Sequence, residues 1–267
     1  MRWLTVPQNE TKGALYMYTD QPAFSISASK RKIVILPVGS CEQHGPYLPI
    51  DTDLRIAKLI AENVAASLPT SDKLLLPAIP FSASWEHKGL GTIALNISTI
   101  SATLHDIASS LKTWGMPLFF VLINWHGGNS LLASLATEIT ATEGIPTIAL
   151  QTIVMAGNAW SSLYGQISGD VHAGAIETSI IQAYWPELMQ WDIPESAHFE
   201  PDIAPVQTQI ALQAIGIHAL TQSGIWGNPE DSDPSKGLAI INMVVKDARE
   251  EILKLLEIIN SNQRSEV

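Results

Sequence analysis

The sequence predicts an α/β domain built on a mostly parallel sheet covered by helices. Two patterns predict it. Short apolar, β-branched runs recur without polar alternation, as strands buried on both faces do, and each is followed by a polar loop and a stretch with helical spacing. Strand–helix–strand order makes successive strands parallel, because the helix must cross over the sheet. Residues 1–30 are polar and irregular, with Pro7, Pro22 and serines between Ser25 and Ser29, and read as an arm leading into the domain. Residues 32–39 form the first strand, closed by Gly39, and Leu54, Ile56, Ala57, Leu59, Ile60 and Val64 give helical spacing over 53–68. The alternation continues with strand over 74–79, helix over 101–114, strand over 118–124, helix over 130–142 and strand over 146–153. A helix over 174–184 follows, and a long amphipathic one over 238–260 ends the chain. Between them, 185–237 is rich in Pro and Asp, with one helix expected over 207–220. Without an internal repeat or a low-complexity linker, the economical reading is a single domain over 1–267. In such sheets the loops leaving the carboxyl ends of strands carry the site.

Composition narrows the function classes. With 267 residues, 46% of them hydrophobic and 15% charged, the chain has ample apolar material for a core and is far from disordered compositions. A net charge of −11 without a Lys/Arg cluster argues against nucleic acid and anionic membrane as partners, since both demand positive charge. No apolar run approaches the roughly 18–20 residues that span a bilayer. The single cysteine, Cys41, allows no intrachain disulfide, and the first residues lack a continuous apolar export segment, so we expect a cytoplasmic protein.

Three loops concentrate chemistry. The loop after the first strand places Glu42, His44, Asp51 and Asp53 within twelve residues, and carboxylate and imidazole ligands suit Zn²⁺ or Mn²⁺. The bland alternative is a polar loop in which Asp53 caps the following helix. After the strand over 118–124, His126 stands beside Gly127 and Gly128, with Asn129 able to cap the next helix, although a histidine beside two glycines is often only a turn residue. In the third loop His172 and Glu177 lie five residues apart, about 500° of a regular helix, so His172 belongs to the loop before the helix. Glu177 there is a ligand or simply a carboxylate favoured by the helix dipole. A fourth segment supplies Trp85, Glu86 and His87 as pocket wall or as surface loop, and Trp125 and Tyr47, next to site residues, as rings able to stack on a planar substrate or to pack the core. His105, His198 and His218 have no partner spacing and read as structural or solvent histidines. Cys41 is a poor nucleophile, because neighbouring Glu42 raises its pKa.

Together the motifs Leu36 to Pro49 with Thr52-Asp53, Trp125 to Asn129, and His172-Ala173-Gly174 with Glu177-Thr178-Ser179 resemble the creatininase (creatinine amidohydrolase) family. Glu86-His87 before Gly91-Thr92, and Gly227-Asn228-Pro229 before Lys236-Gly237, extend the likeness over roughly residues 32–260. The resemblance implies a three-layer α/β/α sandwich, two divalent metal ions per chain (Zn²⁺ or Mn²⁺, with Fe²⁺ admissible), and a homo-oligomer, hexameric in the best-known members. It implies Glu42, His44, Asp53 and His126 as ligands, Asp53 bridging, with Glu177 completing the second ion, and His172, as acid/base, and Glu177 as the catalytic residues. Creatininase itself carries a glutamate two residues after the loop histidine, where this chain has Gly128, so the chain is similar to the His-Gly-Gly-Asn branch, which includes formamide deformylases and a peptidase of cofactor maturation. The reaction so implied is hydrolysis of a small-molecule amide, non-peptide or cyclic, by a metal-bridging hydroxide. Trp85, Glu86, His87, Trp125 and Tyr47 are its expected substrate-binding residues. Two competing readings are a metal-binding protein without turnover, which would close its coordination sphere, and an oligomerisation module whose ligand cluster is accidental.

Overall fold

Four apolar runs pair into one parallel sheet of order β2-β1-β3-β4: β1 (Lys32–Val38), β2 (Lys73–Leu75), β3 (Leu118–Asn124) and β4 (Thr147–Gln151). A computed structural model describes residues 32–69, 73–116, 118–166, 169–189, 192–193 and 205–264, with side chains of 205–209 and 262–264 left aside. The expected arm over 1–30 lies outside the described residues. β1 and β3 form the centre, in register from Lys32↔Leu118 to Val38↔Asn124, and every residue of β3 is buried. That explains their unbroken apolar runs, since both faces are covered. Alternate residues divide between two cores. Ile33, Ile35, Phe119, Val121 and Ile123 pack with α1 (Thr52–Ser67), α4 (Thr152–Tyr164), α5 (Ala175–Tyr184) and α7 (Pro234–Arg264). Val34, Leu36, Phe120 and Leu122 pack with α2 (Ile97–Lys112) and α3 (Leu132–Glu143) on the opposite face. The result is the three-layer α/β/α sandwich.

From β1 the chain first crosses to β2 on one side and then returns to β3 on the other. The loops leaving β1 and β3 therefore diverge and open a crevice at their carboxyl ends, where open α/β sheets bind ligands.

Several elements depart from the spacing-based expectation. The strand expected over 146–153 ends at Gln151, and α4 begins at once with Thr152. No glycine or proline separates them, and β-branched Ile153 and Val154 extend the apolar run, so the sequence carries no boundary signal. β2 is three residues long; Leu76 and Ile79 continue along β1 through backbone bonds to Ile35 O and Pro37 O. α2 begins at Ile97, four residues early, and α7 at Pro234, where proline suits the first helical turn. The helix expected over 207–220 is α6 (Pro205–Ile215), ended by Gly216 in the left-handed region (φ 74°).

Candidate metal centre and cleft

The loop after β1 folds back onto α1, so Glu42 and His44 come to the same point as Asp53 in the first turn of that helix. Asp53 is no cap: α1 starts at Thr52 and has no side-chain cap bond. Its Oδ1 lies 3.2 Å from His44 Nε2 and its Oδ2 3.1 Å from His126 Nδ1. Each oxygen of one carboxylate thus faces a different histidine. Asp53 Oδ2 is buried and, among the described residues, accepts no hydrogen bond of good geometry. Glu42 Oε1 lies 3.2 Å from His126 Nδ1, and Glu177 Oε2 3.7 Å from His44 Nε2. Glu42, His44, Asp53, His126 and Glu177 are all buried and form one cluster. Ligand atoms of Glu42, His44 and Asp53, and of His44, His172 and Glu177, lie within 4.8 Å of one another.

The groups behind these side chains aim them. His44 Nδ1 lies 3.0 Å from the Glu42 carbonyl, which leaves Nε2 for the centre. Ser40 Oγ donates to Glu42 Oε2 (2.7 Å), and the Trp125 indole N–H donates to Glu177 Oε1 (3.0 Å). Glu177 Oε2 accepts the Ala173 N–H (2.8 Å), and Tyr47 OH donates to the Ala173 carbonyl, so both sides of a residue at φ 51° are tied. Such backbone is strained for alanine and persists because its surroundings hold it. Behind His126, Nε2 lies 3.2 Å from Ser84 Oγ and 3.6 Å from Glu86 Oε1. Hydrogen-bonding groups placed in this way behind an imidazole fix its orientation, as they do where such a ring holds a metal. Ser40, Ser84 and Gln43 escaped sequence reasoning, because a lone polar residue carries no spacing signal.

Buried charge sets the protonation pattern. Burial by itself raises the Glu42 carboxyl, yet His126 and His87 outweigh it and hold it well below the usual carboxylate range. Burial disfavours the His44 cation, but Asp53 overrides it and the pKa rises to about 10. His126 likewise rises well above its ordinary value, burial being outweighed by Glu42 and Asp53. Burial lowers His87 to about 4 and, aided by His87 and His44, carries His172 well below its ordinary value. Burial raises Glu177 to about 7. In the metal-free chain the raised pKa values of His44 and His126 thus favour protonated rings beside the buried carboxyl groups.

A cleft of about 820 Å³ opens above the centre. Among the described residues, Glu42, Asp53, His126, His172 and Glu177 form its floor, while Trp85, Glu86, His87, Ile97, Val171 and Ile215 form its walls. Trp85, Glu86 and His87 therefore face the cleft. Trp125 and Tyr47 do not line it: both are buried, their polar atoms engaged with Glu177 and with Ala173 and Thr178. His218, read from sequence as structural or solvent, lines the mouth. His105 lies 3.7 Å from Glu138 away from the site, and His198 falls outside the described residues. Asp51, counted with the metal-binding groups of the loop, turns away and pairs with Arg55 (2.7 Å). Asn129 does not cap α3; its amide donates to Asn124 Oδ1 (2.9 Å), whose own amide donates to the His126 carbonyl (2.9 Å). The Cys41 thiol pKa is raised by burial, then by Asp51, Asp53 and Glu42, which keeps it protonated.

A family model described as "Creatininase: Creatinine amidohydrolase" matches residues 19–252. The chain is 31% identical over 223 residues to the mycofactocin precursor peptide peptidase of Mycobacterium tuberculosis (strain CDC 1551 / Oshkosh), covering 80% of this chain and 82% of that protein. It is 31% identical over 161 residues to the 2-amino-5-formylamino-6-ribosylaminopyrimidin-4(3H)-one 5'-monophosphate deformylase of Methanothermus fervidus, covering 58% of this chain and 57% of that one. A solved structure described as "Creatininase Mn" superposes with a TM-score of 0.68 at 24% identity, covering 86% of this chain and 93% of its own, which shows the shared fold.

Proposed function

The chain belongs to the creatininase family of hydrolases, and from that premise we propose that it cleaves a carbon–nitrogen amide bond outside an ordinary peptide chain, using two divalent cations, Zn²⁺ or Mn²⁺. The observation that carries this reading is Asp53, whose two oxygens face His44 and His126 at 3.2 and 3.1 Å, as a carboxylate shared between two cations would. Glu42 and His126 would hold one ion with Asp53, and His44 and Glu177 the other; oxygen and imidazole donors suit Zn²⁺, Mn²⁺ and Fe²⁺ alike. When bound, the ions supply a nucleophilic oxygen at neutral pH and stabilise charge developing on the carbonyl.

The chain's own residues do the rest. His172, whose Nε2 donates to the Gln43 carbonyl (2.7 Å), offers its bare Nδ1 toward the centre and carries a proton from the attacking water to the leaving nitrogen. Such positioned proton transfer contributes typically about 10²–10⁴ in rate. Exposed Trp85, Ile97 and Ile215 give the entrance an apolar rim that would strip water from the group flanking the amide.

A second reading, a peptide-derived amide, is favoured by the size of the cleft. About 820 Å³ is near the upper end of small-molecule sites and far larger than a single-ring amide fills. Similarity to the mycobacterial peptidase points the same way. We also propose a single-domain, cytoplasmic homo-oligomer, hexameric as the resemblance implies; among the described residues no helix is long and apolar enough to cross a membrane.

Metal per chain, measured on protein purified without chelator beside Asp53→Ala, tests the centre. Two ions in the wild type and loss in the variant are expected; no metal in either, even with Zn²⁺ or Mn²⁺ supplied, refutes the reading. The loaded enzyme is then assayed on creatinine, N-formyl amines and short peptides.

A further inference from the structure

Four histidines face the centre, and the group behind each ring decides whether it presents a lone pair or a proton. Once it gives up its second proton, the His44 ring keeps the one at Nδ1, donated to the Glu42 carbonyl, and leaves Nε2 bare. His172 gives its Nε2 proton to the Gln43 carbonyl, leaving Nδ1 bare. His126 has the acceptors Ser84 Oγ and Glu86 Oε1 behind Nε2, leaving Nδ1 to face Glu42 and Asp53.

His87 is the exception, because the group behind it is a donor. Gln43 Oε1 accepts the Gly45 N–H (3.0 Å), which fixes the orientation of the buried amide. Its Nε2 then points the other way and donates to the Gly224 carbonyl (3.2 Å) and to His87 Nδ1 (3.0 Å). Both amide protons are thereby used, and the approach of Gln43 Nε2 to His172 Nε2 (3.2 Å) is a contact between two N–H groups. Position 224 leaves room for this amide: a Cβ there would lie 2.0 Å from Gln43 Oε1, and the backbone φ of +77° favours glycine. A neutral imidazole that accepts at Nδ1 carries its proton at Nε2. His87 Nε2 faces Glu42 Oε1 at 3.4 Å in the wall of the cleft.

Proximity alone would group Glu42, His87 and His172 as a third set able to grip a cation. The hydrogen bonds contradict that grouping, because a protonated Nε2 has no lone pair to give. We infer that His87 is a catalytic hydrogen-bond donor and not a metal ligand, its Nε2–H directed at the carbonyl oxygen of the scissile amide, and that Gln43 is the positioning residue that keeps the proton there. The inference rests on the amide-hydrolase reading for its substrate, but its proton placement is a property of the chain alone. A neutral imidazole in this role polarises a carbonyl without transferring a proton, so nothing must be returned at the end of the cycle.

The test is ¹⁵N NMR on the full chain labelled at histidine, with the His87 signals identified by their loss in His87→Leu. In the metal-free wild type, His87 is expected with Nε2 protonated and Nδ1 bare. Adding Zn²⁺ should leave that pattern intact while the His44 and His126 nitrogens shift. Gln43→Glu places an acceptor where the amide donated and should move the proton to Nδ1; Gln43→Met, without either group, should leave a mixture. His87→Leu should bind as much Zn²⁺ as the wild type, and on the amide found by the substrate panel it should lower kcat about 10²–10³-fold, as loss of an oxyanion donor does. His87→Gln, which keeps an N–H near the same place, should recover part of that loss. A protonated Nδ1 in the wild type, loss of the Nε2 proton on Zn²⁺ addition, lost Zn²⁺ in His87→Leu, or full kcat in that variant would each overturn the inference. A wild type that binds no Zn²⁺ would sink the amide-hydrolase reading while the metal-free spectra still decide the position of the proton.

Discussion

A single methyl group at position 128 measures how tightly the back of the candidate metal centre is built. A Cβ on Gly128 would lie 2.2 Å from Glu86 Oε1, 2.5 Å from His126 Nε2 and 2.6 Å from the Ala83 carbonyl, all inside the 3.0 Å that real Cβ atoms essentially never breach. Glu86 can swing, since its carboxylate reaches the cleft, but the Ala83 oxygen is backbone and His126 is held between Ser84 and Asp53. The strain therefore reaches the His126 ring and the Glu86 carboxylate behind it together. Losing such support typically costs about 10–100-fold in metal affinity, or roughly 1.4–2.8 kcal/mol. Overpacking adds about 1–3 kcal/mol of instability. The comparison is Gly127→Ala, one residue away, where no atom of the described residues lies within 4 Å of the added carbon. Calorimetric titration of both metal-free variants with Zn²⁺ should show the loss at 128 and near wild-type affinity at 127. Equal affinities would refute the idea that His126 is held from behind by Glu86 and Ser84.

Two other perturbations read the scaffold of the site. Tyr47→Phe removes the hydroxyl that ties the Ala173 carbonyl and contacts Thr178 Oγ1 (3.2 Å), and leaving a buried carbonyl unpaired should cost about 1–3 kcal/mol, seen as a Tm lowered by several degrees in a thermal melt. Asp170 accepts the Ala175 and Ile176 N–H groups at the start of α5 (2.7 and 3.1 Å), and burial raises its pKa to about 6. A raised acid pKa means that the native state binds the proton more tightly, so stability falls as pH rises from about 4 to about 6, by about 3 kcal/mol over the window. Asp170→Asn should flatten that slope in urea unfolding measured across pH 4–7; an unchanged slope would assign it to other groups.

Much of this architecture was legible because burial on both faces leaves a plain mark. β3 matches its apolar run residue for residue, and Glu42, His44, Asp53, His126 and Glu177 stand out because carboxylates and imidazoles recur at strand ends next to glycines. What stayed hidden is what depends on direction instead of residue type. In the sequence Asp53 reads as a cap or as a metal-binding carboxylate, and only the structure shows its two oxygens facing two rings. Trp125 and Tyr47, aromatic and adjacent to ligands, look like stacking partners in the sequence, yet their chains turn inward and hold Glu177 and Ala173. α4 escaped because the strand before it passes into helix with no turn residue.

The buried cluster also dictates how stability and metal binding trade against pH. Glu42, Asp53 and Glu177 lie together out of water, and unpaired buried charge costs several kcal/mol per ion. In the metal-free chain the offset comes from protonated His44, at about 10, and protonated His126. The native state therefore binds more protons than the unfolded chain between pH about 6.5 and about 10, and the linkage slope is negative: metal-free stability declines through that window because the unfolded chain has released the proton that native His44 still holds. Cations that replace those protons bind through the lone pairs, so their affinity rises with pH and binding releases protons. Saturation at 100 times Kd adds about 2.7 kcal/mol per site. Melting curves with Zn²⁺ and with chelator should accordingly diverge as pH is raised from 6.5 to 9, and titrations in buffers of different ionisation enthalpy should show more than one proton released per chain. Curves that stay parallel across that range would mean that the rings are neutral before metal arrives, and that the carboxylates are held apart by something other than shared protons.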